Sequence, residues 1–137
     1  MRPLRIVLGG LMAALFGSAL AQTEWPKAKP VTLVVAFAPG ASTDIVARTL
    51  TQKMAELTGG NFVVENKGGA GGNIASAQVK RAAPDGYTLL VHSVAFAVNP
   101  SLYADAGYNA IRDFVPVALG PKTPNIFTAN ASVPVKT

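Results

Sequence analysis

The order of apolar and polar positions along the chain predicts strands that alternate with helices. The run Val31–Phe37 is almost continuously apolar and rich in β-branched residues, which is typical of a strand buried on both faces of a parallel sheet. Further runs have the composition of strands at 61–65, 87–92, 114–119 and 125–129. This alternation implies an α/β fold built on a parallel sheet with right-handed crossovers.

Three helices are predicted after these strands. The first covers 44–57, with Ser42 or Thr43 as its cap and Gly59-Gly60 as its stop. The positions that recur at helical spacing, and that we expect to form its buried stripe, are Val46, Leu50, Met54 and Leu57. The second helix covers 73–83, and a shorter helical piece lies within 96–103, interrupted near Asn99-Pro100.

The first 21 residues have the three parts of a secretory signal peptide. Arg2 and Arg5 supply a basic start, 6–20 is apolar, and Ala19-Leu20-Ala21 is a small-x-small site of the kind that signal peptidase cuts. The apolar run is about 15 residues, shorter than the ~20 that span a bilayer, which argues against a membrane anchor. We therefore expect export with cleavage after Ala21, which leaves 22–137 as the folded part.

Composition narrows the classes of function. Half of the 137 residues are hydrophobic and 14% are charged, which excludes a disordered tail. The sequence has no Cys, so a disulfide scaffold and a Cys-ligated metal are excluded, and its dispersed acidic residues do not suggest another metal site. The net charge of the sequence is +5, and two of its positive charges belong to the signal peptide. The other Lys and Arg residues are scattered along the chain, and this pattern does not support nucleic-acid binding.

Two glycine-bearing loops each connect a predicted strand to a predicted helix, namely 37–44 and 66–73. Ligands of open parallel sheets bind outside the carboxyl ends of the strands. Helix N-termini at that edge present free N–H groups and a positive dipole end to an anion. The two loops therefore predict half of a cradle for a carboxylate or phosphate, with the alternative that their glycines only close tight turns. Neither loop has the spacing of a Walker or dinucleotide-binding motif, so no cofactor is predicted.

Catalytic chemistry has little support in the sequence. His92 is the only histidine, and no Gly-x-Ser-x-Gly nucleophile elbow is present. A lone histidine is more often structural than catalytic. We assign no catalytic residue, although turnover that depends on His92 would favour an anion-binding α/β enzyme.

Five motifs, in order along the chain, resemble the Bug family, the periplasmic substrate-binding proteins of tripartite tricarboxylate transporters. They lie at Trp25–Arg48, Val64–Ile74, Ala83–Leu90, Asn99–Tyr103 and Arg112–Val117. The resemblance implies an α/β, type II periplasmic-binding-protein-like fold of two lobes with a small carboxylate ligand between them. A di- or tricarboxylate, an amino acid or an aromatic acid would fit this class. The resemblance also implies a periplasmic location and the membrane components of such a transporter as partners.

The resemblance further implies which residues face the ligand, because in the family they come from two strand-to-helix loops and the end of the third strand. At the matching positions they are Phe37, Pro39, Gly40, Ser42, Thr43 and Asp44, then Gly69, Ala70, Gly71 and Asn73, and then Ser93. Ala41 replaces the second glycine of the family's Pro-Pro-Gly-Gly and would be strained if that position needs a positive φ.

Length is the largest departure from the family pattern. Family members run to more than twice this length, so we expect a parallel-sheet first lobe that is truncated before the second lobe. The predicted function is the capture of a small carboxylate by a partial periplasmic solute-binding protein. The alternative is a remnant that binds no ligand.

Overall fold

The computed structural model describes residues 25–122 together with 128, 130, 132 and 133. The predicted signal peptide, 1–21, lies outside the described residues. Within them the elements follow in the order β1 (Val31–Val35), α1 (Ser42–Thr58), β2 (Phe62–Asn66), a turn of 3-10 helix (Ala70–Gly72), α2 (Asn73–Lys80), β3 (Thr88–Val91) and α3 (Ala95–Leu102).

The described strands form a parallel sheet of order β2-β1-β3, with Val31 paired to Phe62 and Thr32 to Thr88. The central strand β1 has neighbours on both edges, and its Val31, Val34 and Val35 are fully buried. This confirms the predicted parallel α/β fold and the predicted burial of the first apolar run. Since all strands point the same way, the loops after β1 and β3 leave the sheet at one edge.

The buried face of α1 differs from the predicted stripe. Leu50 and Leu57 are 46% and 75% exposed, so the prediction was wrong for both. The buried residues of the helix are instead Asp44, Ala47 and Thr51. These side chains are small, and they allow the helix backbone to lie close to β1 and β2, where a stripe of long side chains would hold it away.

The start of α1 also differs from the prediction. Ala41 is the N-cap, with φ −67° and ψ 160°, and no side chain caps the helix, so neither Ser42 nor Thr43 has that role. The extended conformation of Ala41 is open to any residue, and the positive φ falls one position earlier, at Gly40. The C-terminus agrees with the prediction, because Gly59 ends the helix in the left-handed conformation.

Helix α3 continues through Pro100, where we predicted an interruption. A proline within a helix lacks an N–H and leaves the carbonyl four residues earlier without its partner. That carbonyl belongs to Phe96, and the hydroxyl of Tyr108 donates to it at 2.7 Å. A residue outside the helix therefore satisfies the carbonyl that Pro100 leaves free, and α3 runs on to Leu102.

The strand predicted at 114–119 is absent from the structure. Val115, Val117 and Leu119 are 81–87% exposed and have no strand pairing. A strand needs a neighbour for its N–H and C=O groups, and the described chain offers none beside this segment. Its first residue packs against other aromatic side chains, and the Phe114 ring meets the ring of Phe96 edge to face at 5.0 Å. The strand predicted at 125–129 lies almost entirely outside the described residues.

Candidate functional site

A pocket of about 200 Å³ opens at the edge of the sheet where β1 and β3 end. Phe37 follows β1, Ser93 follows β3, and the remaining lining residues form the N-terminus of α1. The complete lining is Phe37, Ala41, Ser42, Thr43 and Ser93. The structure thus brings together four of the predicted site residues from two separate loops. Ala41 is the lining residue that the sequence reasoning did not include.

The chemistry of the lining suits an anion. None of the five lining residues carries a charge, and three of them, Ser42, Thr43 and Ser93, carry hydroxyl groups. The N–H groups of Ser42 and Thr43 lie in the first turn of a 17-residue helix, where no earlier turn supplies a carbonyl. First-turn N–H groups together with the positive end of the helix dipole attract a carboxylate or phosphate.

The hydroxyl of Thr43 is the most informative group in the pocket. Its Oγ1 is buried and has no hydrogen-bond partner among the described residues. Buried hydroxyls in folded proteins are nearly always hydrogen-bonded, and an unsatisfied one is unfavourable. Because Thr43 lines the pocket, rotation of its side chain would bring this hydroxyl to an acceptor atom placed there.

Ser93 is fixed by its neighbours in a way that leaves its hydroxyl hydrogen available. Its N–H donates to His92 Nδ1 at 2.9 Å, and its carbonyl accepts from Phe96 N–H at 3.1 Å. Its Oγ accepts from the N–H of Ala95 at 3.3 Å. A hydroxyl that accepts one bond still has a hydrogen to donate, so Ser93 can donate to an anion in the pocket.

Asp44, another predicted site residue, lies outside the pocket lining and is only 2% exposed. Its Oδ2 accepts from Gly40 N–H at 2.8 Å and from Arg48 Nε at 3.0 Å. Its Oδ1 accepts from Asn66 Nδ2 at 2.8 Å. The bond from Arg48, followed by those from Gly40 and Asn66, lowers the pKa of Asp44 to about 2. The carboxylate therefore organises the loop before α1 and stays ionised while it does so.

Asn66 connects this loop to the end of β2. Its Nδ2 donates to Phe37 O at 3.1 Å as well as to Asp44, and its Oδ1 accepts from Arg48 at 3.1 Å. The sequence reasoning missed Asn66 and Arg48 as supports of the site. The four-residue spacing of Asp44 and Arg48 was a signal for their ion pair, whereas nothing local indicated Asn66.

Pro39 and Gly40 form the exposed turn between β1 and the pocket. Gly40 has φ +82°, and a Cβ placed there would meet nothing within 4 Å. The requirement for glycine is therefore conformational. The structure places both residues beside the pocket but not in its lining.

None of the predicted residues of the second loop is in the pocket lining, although the loop begins beside Phe37 and Ala38. Those residues are Gly69, Ala70, Gly71 and Asn73. Gly69 and Gly71 have positive φ, and so does Ala70 at +47°. Asn99 of α3 closes the loop, because its Nδ2 donates to Gly71 O at 2.9 Å and to Asn73 Oδ1 at 2.7 Å. This geometry accounts for the glycines as turn formers, and contact between this loop and a ligand stays a prediction.

The described residues hold no group of three or more His, Asp or Glu side chains arranged for a metal ion. Among helices α1 to α3, none combines the length and the apolar character needed to cross a membrane.

Comparison with known proteins identifies relatives along nearly the whole chain. The sequence model of TctC, described as the tripartite tricarboxylate transporter family receptor, matches residues 46–137. A UPF0065 protein of Pseudomonas sp. is 37% identical over 129 residues, which cover 93% of this chain and 38% of the relative. Protein BugT of Bordetella pertussis is 35% identical, over 95% of this chain and 40% of its own. The chain thus spans about two fifths of the length of these relatives.

Solved structures with the same fold are periplasmic binding proteins and related proteins with bound ligands. The periplasmic binding protein BugD is 50% identical, with a TM-score of 0.60 over 62% of this chain and 28% of its own. An R. palustris protein with adipate is 36% identical, with a TM-score of 0.60 over 64% of this chain and 29% of its own. MatC from Rhodopseudomonas palustris with bound malate is 44% identical, with a TM-score of 0.57 over 66% of this chain and 31% of its own. These matches confirm the Bug resemblance and the periplasmic-binding-protein fold.

Proposed function

Because the chain belongs to the tripartite tricarboxylate transporter receptor family, we propose that its pocket captures a small carboxylate for a transporter of that type. The observation that carries this proposal is the buried Thr43 hydroxyl, which has no partner among the described residues and belongs to a residue that lines the pocket at the N-terminus of α1. A carboxylate oxygen supplies the acceptor that this hydroxyl lacks.

Recognition in this proposal relies on neutral donors. We propose that one carboxylate oxygen accepts from the first-turn N–H groups of α1 and from the Thr43 hydroxyl, and that the other accepts from the hydroxyls of Ser42 and Ser93, which also line the pocket. The helix dipole supplies the favourable potential that an arginine provides in other sites. The ring of Phe37 offers an apolar wall for the carbon chain of the ligand. The adipate and malate bound by the two structural neighbours support a dicarboxylate as the ligand class.

Location and partners extend the proposal. We propose that the chain is exported, cleaved after Ala21, and works in the periplasm beside the membrane components of the transporter. The basic and apolar start of the sequence and the periplasmic binding proteins among its structural neighbours support this location. N-terminal sequencing of the purified protein should begin at Gln22, and an intact Met1 on soluble protein would contradict the export proposal.

We propose that the pocket forms one wall of the ligand site, as implied for a first lobe. One wall supplies only part of the donors, so we expect the 137 residues on their own to bind with an affinity on the order of millimolar, about −4 kcal/mol. A carboxylate enclosed by two sets of donors would be held more tightly.

The test is a calorimetric or NMR titration of the protein, produced from all 137 residues, with malate and adipate. The neutral diamides of the same acids serve as ligand controls, because they keep the shape and remove the charge. Thr43→Val removes the unpartnered hydroxyl, and Thr49→Val makes the same change on the same helix, where Thr49 bonds only to Ile45 O.

We expect saturable binding of an acid, no binding of its diamide, and weaker binding in Thr43→Val but not in Thr49→Val. The loss of a hydrogen bond to a charged group is worth about 1.5–3 kcal/mol, which corresponds to roughly a tenfold or greater weakening. Equal affinity of both variants would remove Thr43 from the site. Failure of every acid to bind would favour the remnant without a ligand.

A further inference from the structure

The ring of His92 lies directly behind the pocket, between two aromatic side chains. Its centroid is 5.4 Å from that of Phe37, which lines the pocket, and 5.7 Å from that of Phe96 in α3. Its Nδ1 accepts the Ser93 N–H at 2.9 Å. The imidazole thus touches both residues that bring β1 and β3 to the pocket, although it is not itself in the lining.

The hydrogen bond from Ser93 N–H, at 2.9 Å the shorter of the two contacts of Nδ1, favours one tautomer of the neutral ring. An imidazole nitrogen can accept only when it carries no hydrogen, so Nδ1 is bare and Nε2 carries the hydrogen of the neutral ring. Nε2 is buried against the backbone of Gly72 and would overlap a Cβ at that glycine. The ring therefore has little room to turn.

We infer that His92 is the positioning residue of the pocket and that the protein captures its carboxylate only while this imidazole is neutral. The inference rests on the proposed function. Neutral His92 holds the Ser93 backbone by accepting its N–H, which places the Ser93 hydroxyl at the pocket. His92 acts through Ser93 and Phe37 and makes no contact with the ligand.

Protonation changes this arrangement at one atom. A proton on Nδ1 converts it from an acceptor to a donor, so it faces the Ser93 N–H donor and their hydrogen bond is lost. Another acceptor close to Nδ1 is Ser93 O at 3.3 Å, and this carbonyl already accepts from Phe96 N–H. A carbonyl oxygen can accept two hydrogen bonds, so a protonated Nδ1 can donate to Ser93 O, but the Ser93 N–H then has lost its acceptor and residues 92–94 must adjust.

No charged group compensates an imidazolium here. The elements packed against the ring contribute Phe37 after β1, Gly72 before α2 and Phe96 of α3, and none of these titrates. The nearest titratable side chain in this packing is Tyr108, which stacks on the far side of Phe96 at 5.1 Å. The Asp44 carboxylate is engaged by Gly40, Arg48 and Asn66. Burial lowers the pKa of His92 below its ordinary value, and it outweighs the backbone hydrogen bonds to Ser93 and Gly72, which raise this pKa.

The experiment measures malate affinity by NMR titration of the whole chain between about pH 8 and about pH 5, the range that spans the ordinary pKa of histidine. Because the sequence has a single histidine, its ring resonances report the titration without assignment ambiguity. The Ser93 amide resonance is followed in the same samples. His92→Asn is the matched variant, because its amide oxygen can replace Nδ1 as acceptor and does not titrate.

We expect the Ser93 amide to shift with the same midpoint as the His92 ring. We also expect the loss of malate affinity on acidification to be about tenfold greater in the parent than in His92→Asn, which corresponds to one pKa unit of coupling. Protonation of malate itself contributes equally to both proteins and cancels in this comparison.

Other results would overturn the inference. Identical pH profiles in the parent and the variant, with malate bound by both at about pH 8, would remove His92 from the mechanism and leave the proposed function intact. Tighter parental binding at low pH would show that attraction to the imidazolium outweighs the loss of the Ser93 bond. A Ser93 amide that ignores the His92 titration would contradict the positioning role even if His92→Asn does not fold. Absence of binding by both malate and adipate at every pH would defeat the proposed function as well.

Discussion

The side-chain amide of Asn66, at the end of β2, donates to the carboxylate of Asp44, at the start of α1, with 2.8 Å between Nδ2 and Oδ1. The same amide nitrogen donates to the carbonyl of Phe37. One side chain therefore ties the end of a second strand to both ends of the loop that forms the pocket. The shape of the pocket depends on this junction although neither Asn66 nor Asp44 lines it.

The ionised Asp44 should make the fold sensitive to acid. Its pKa in the folded protein is about 2, below the value of about 3.9 in an unfolded chain. The stabilisation is therefore fully present above about pH 4 and lost as the pH falls towards 2, because the unfolded state binds the proton first. Urea denaturation at about pH 6 and about pH 3 should show a smaller loss of stability in Asp44→Asn than in the parent. Equal losses would mean that other groups, such as Asp113, account for the acid sensitivity.

The pair formed by Pro100 and Tyr108 predicts a compensating double variant. Tyr108→Phe keeps the ring stacked on Phe96 but leaves the Phe96 carbonyl without its donor, which should lower the free energy of unfolding by about 1–3 kcal/mol. Pro100→Ala restores an N–H one turn above that carbonyl. Tyr108→Phe should therefore have little effect in a Pro100→Ala background. Denaturation of all four proteins checks this, and additive effects would contradict it.

Two glycines with similar backbone conformations should differ in their tolerance of a side chain. Gly40 and Gly72 have φ of +82° and +97°. A Cβ at Gly40 meets open space, whereas one at Gly72 overlaps the His92 ring and approaches Ala36 Cβ to 3.0 Å. Gly40→Ala should cost only backbone strain of about 1–2 kcal/mol, and Gly72→Ala about 3 kcal/mol or more because overpacking is added. Thermal melts of both variants would test this, and equal destabilisation would argue against the tight packing of His92.

Asn99 should tolerate neither truncation nor a charge. It is 3% exposed, and its Nδ2 serves two oxygens, Gly71 O and Asn73 Oδ1. Asn99→Ala leaves both without that donor and should destabilise the protein by about 1–3 kcal/mol. Asn99→Asp should be worse, because it places a carboxylate oxygen where two acceptors converge. Chemical denaturation gives the free energy of unfolding of each variant. If Asn99→Asp is as stable as the parent, the hydrogen bonds of Asn99 to Gly71 and Asn73 are not needed for stability.

The sequence predicted those parts of the fold that depend on local composition and general topology. The β-branched run of β1 and the glycine after α1 were sufficient to place those elements. The rule that ligands bind at the carboxyl ends of parallel strands pointed to the loop 37–44, and the family resemblance added Ser93. The structure brings Phe37, Ser42, Thr43 and Ser93 around one pocket. Agreement is good here because each signal lies within a few residues of the feature that it specifies.

The errors involve partners that are distant along the chain. Leu50 and Leu57 fit a helical stripe, but the close approach of α1 to the sheet selected the small Ala47 and Thr51 instead. The segment 114–119 has the composition of a strand, but the described chain provides no neighbouring strand for it. Asn66 supports a loop that lies 22 to 29 residues earlier. No local pattern encodes such a pairing.

The central claim, that a carboxylate binds at the N-terminus of α1, is tested most directly by the amide chemical shifts of the protein during titration with malate or adipate. The account predicts saturable shifts that centre on Ser42, Thr43 and Ser93, with the diamide of the same acid causing none. The amides around Thr49, on the same helix but outside the pocket, should stay unchanged. Saturable shifts centred elsewhere, or shifts of equal size with the neutral diamide, would contradict the assignment of the site.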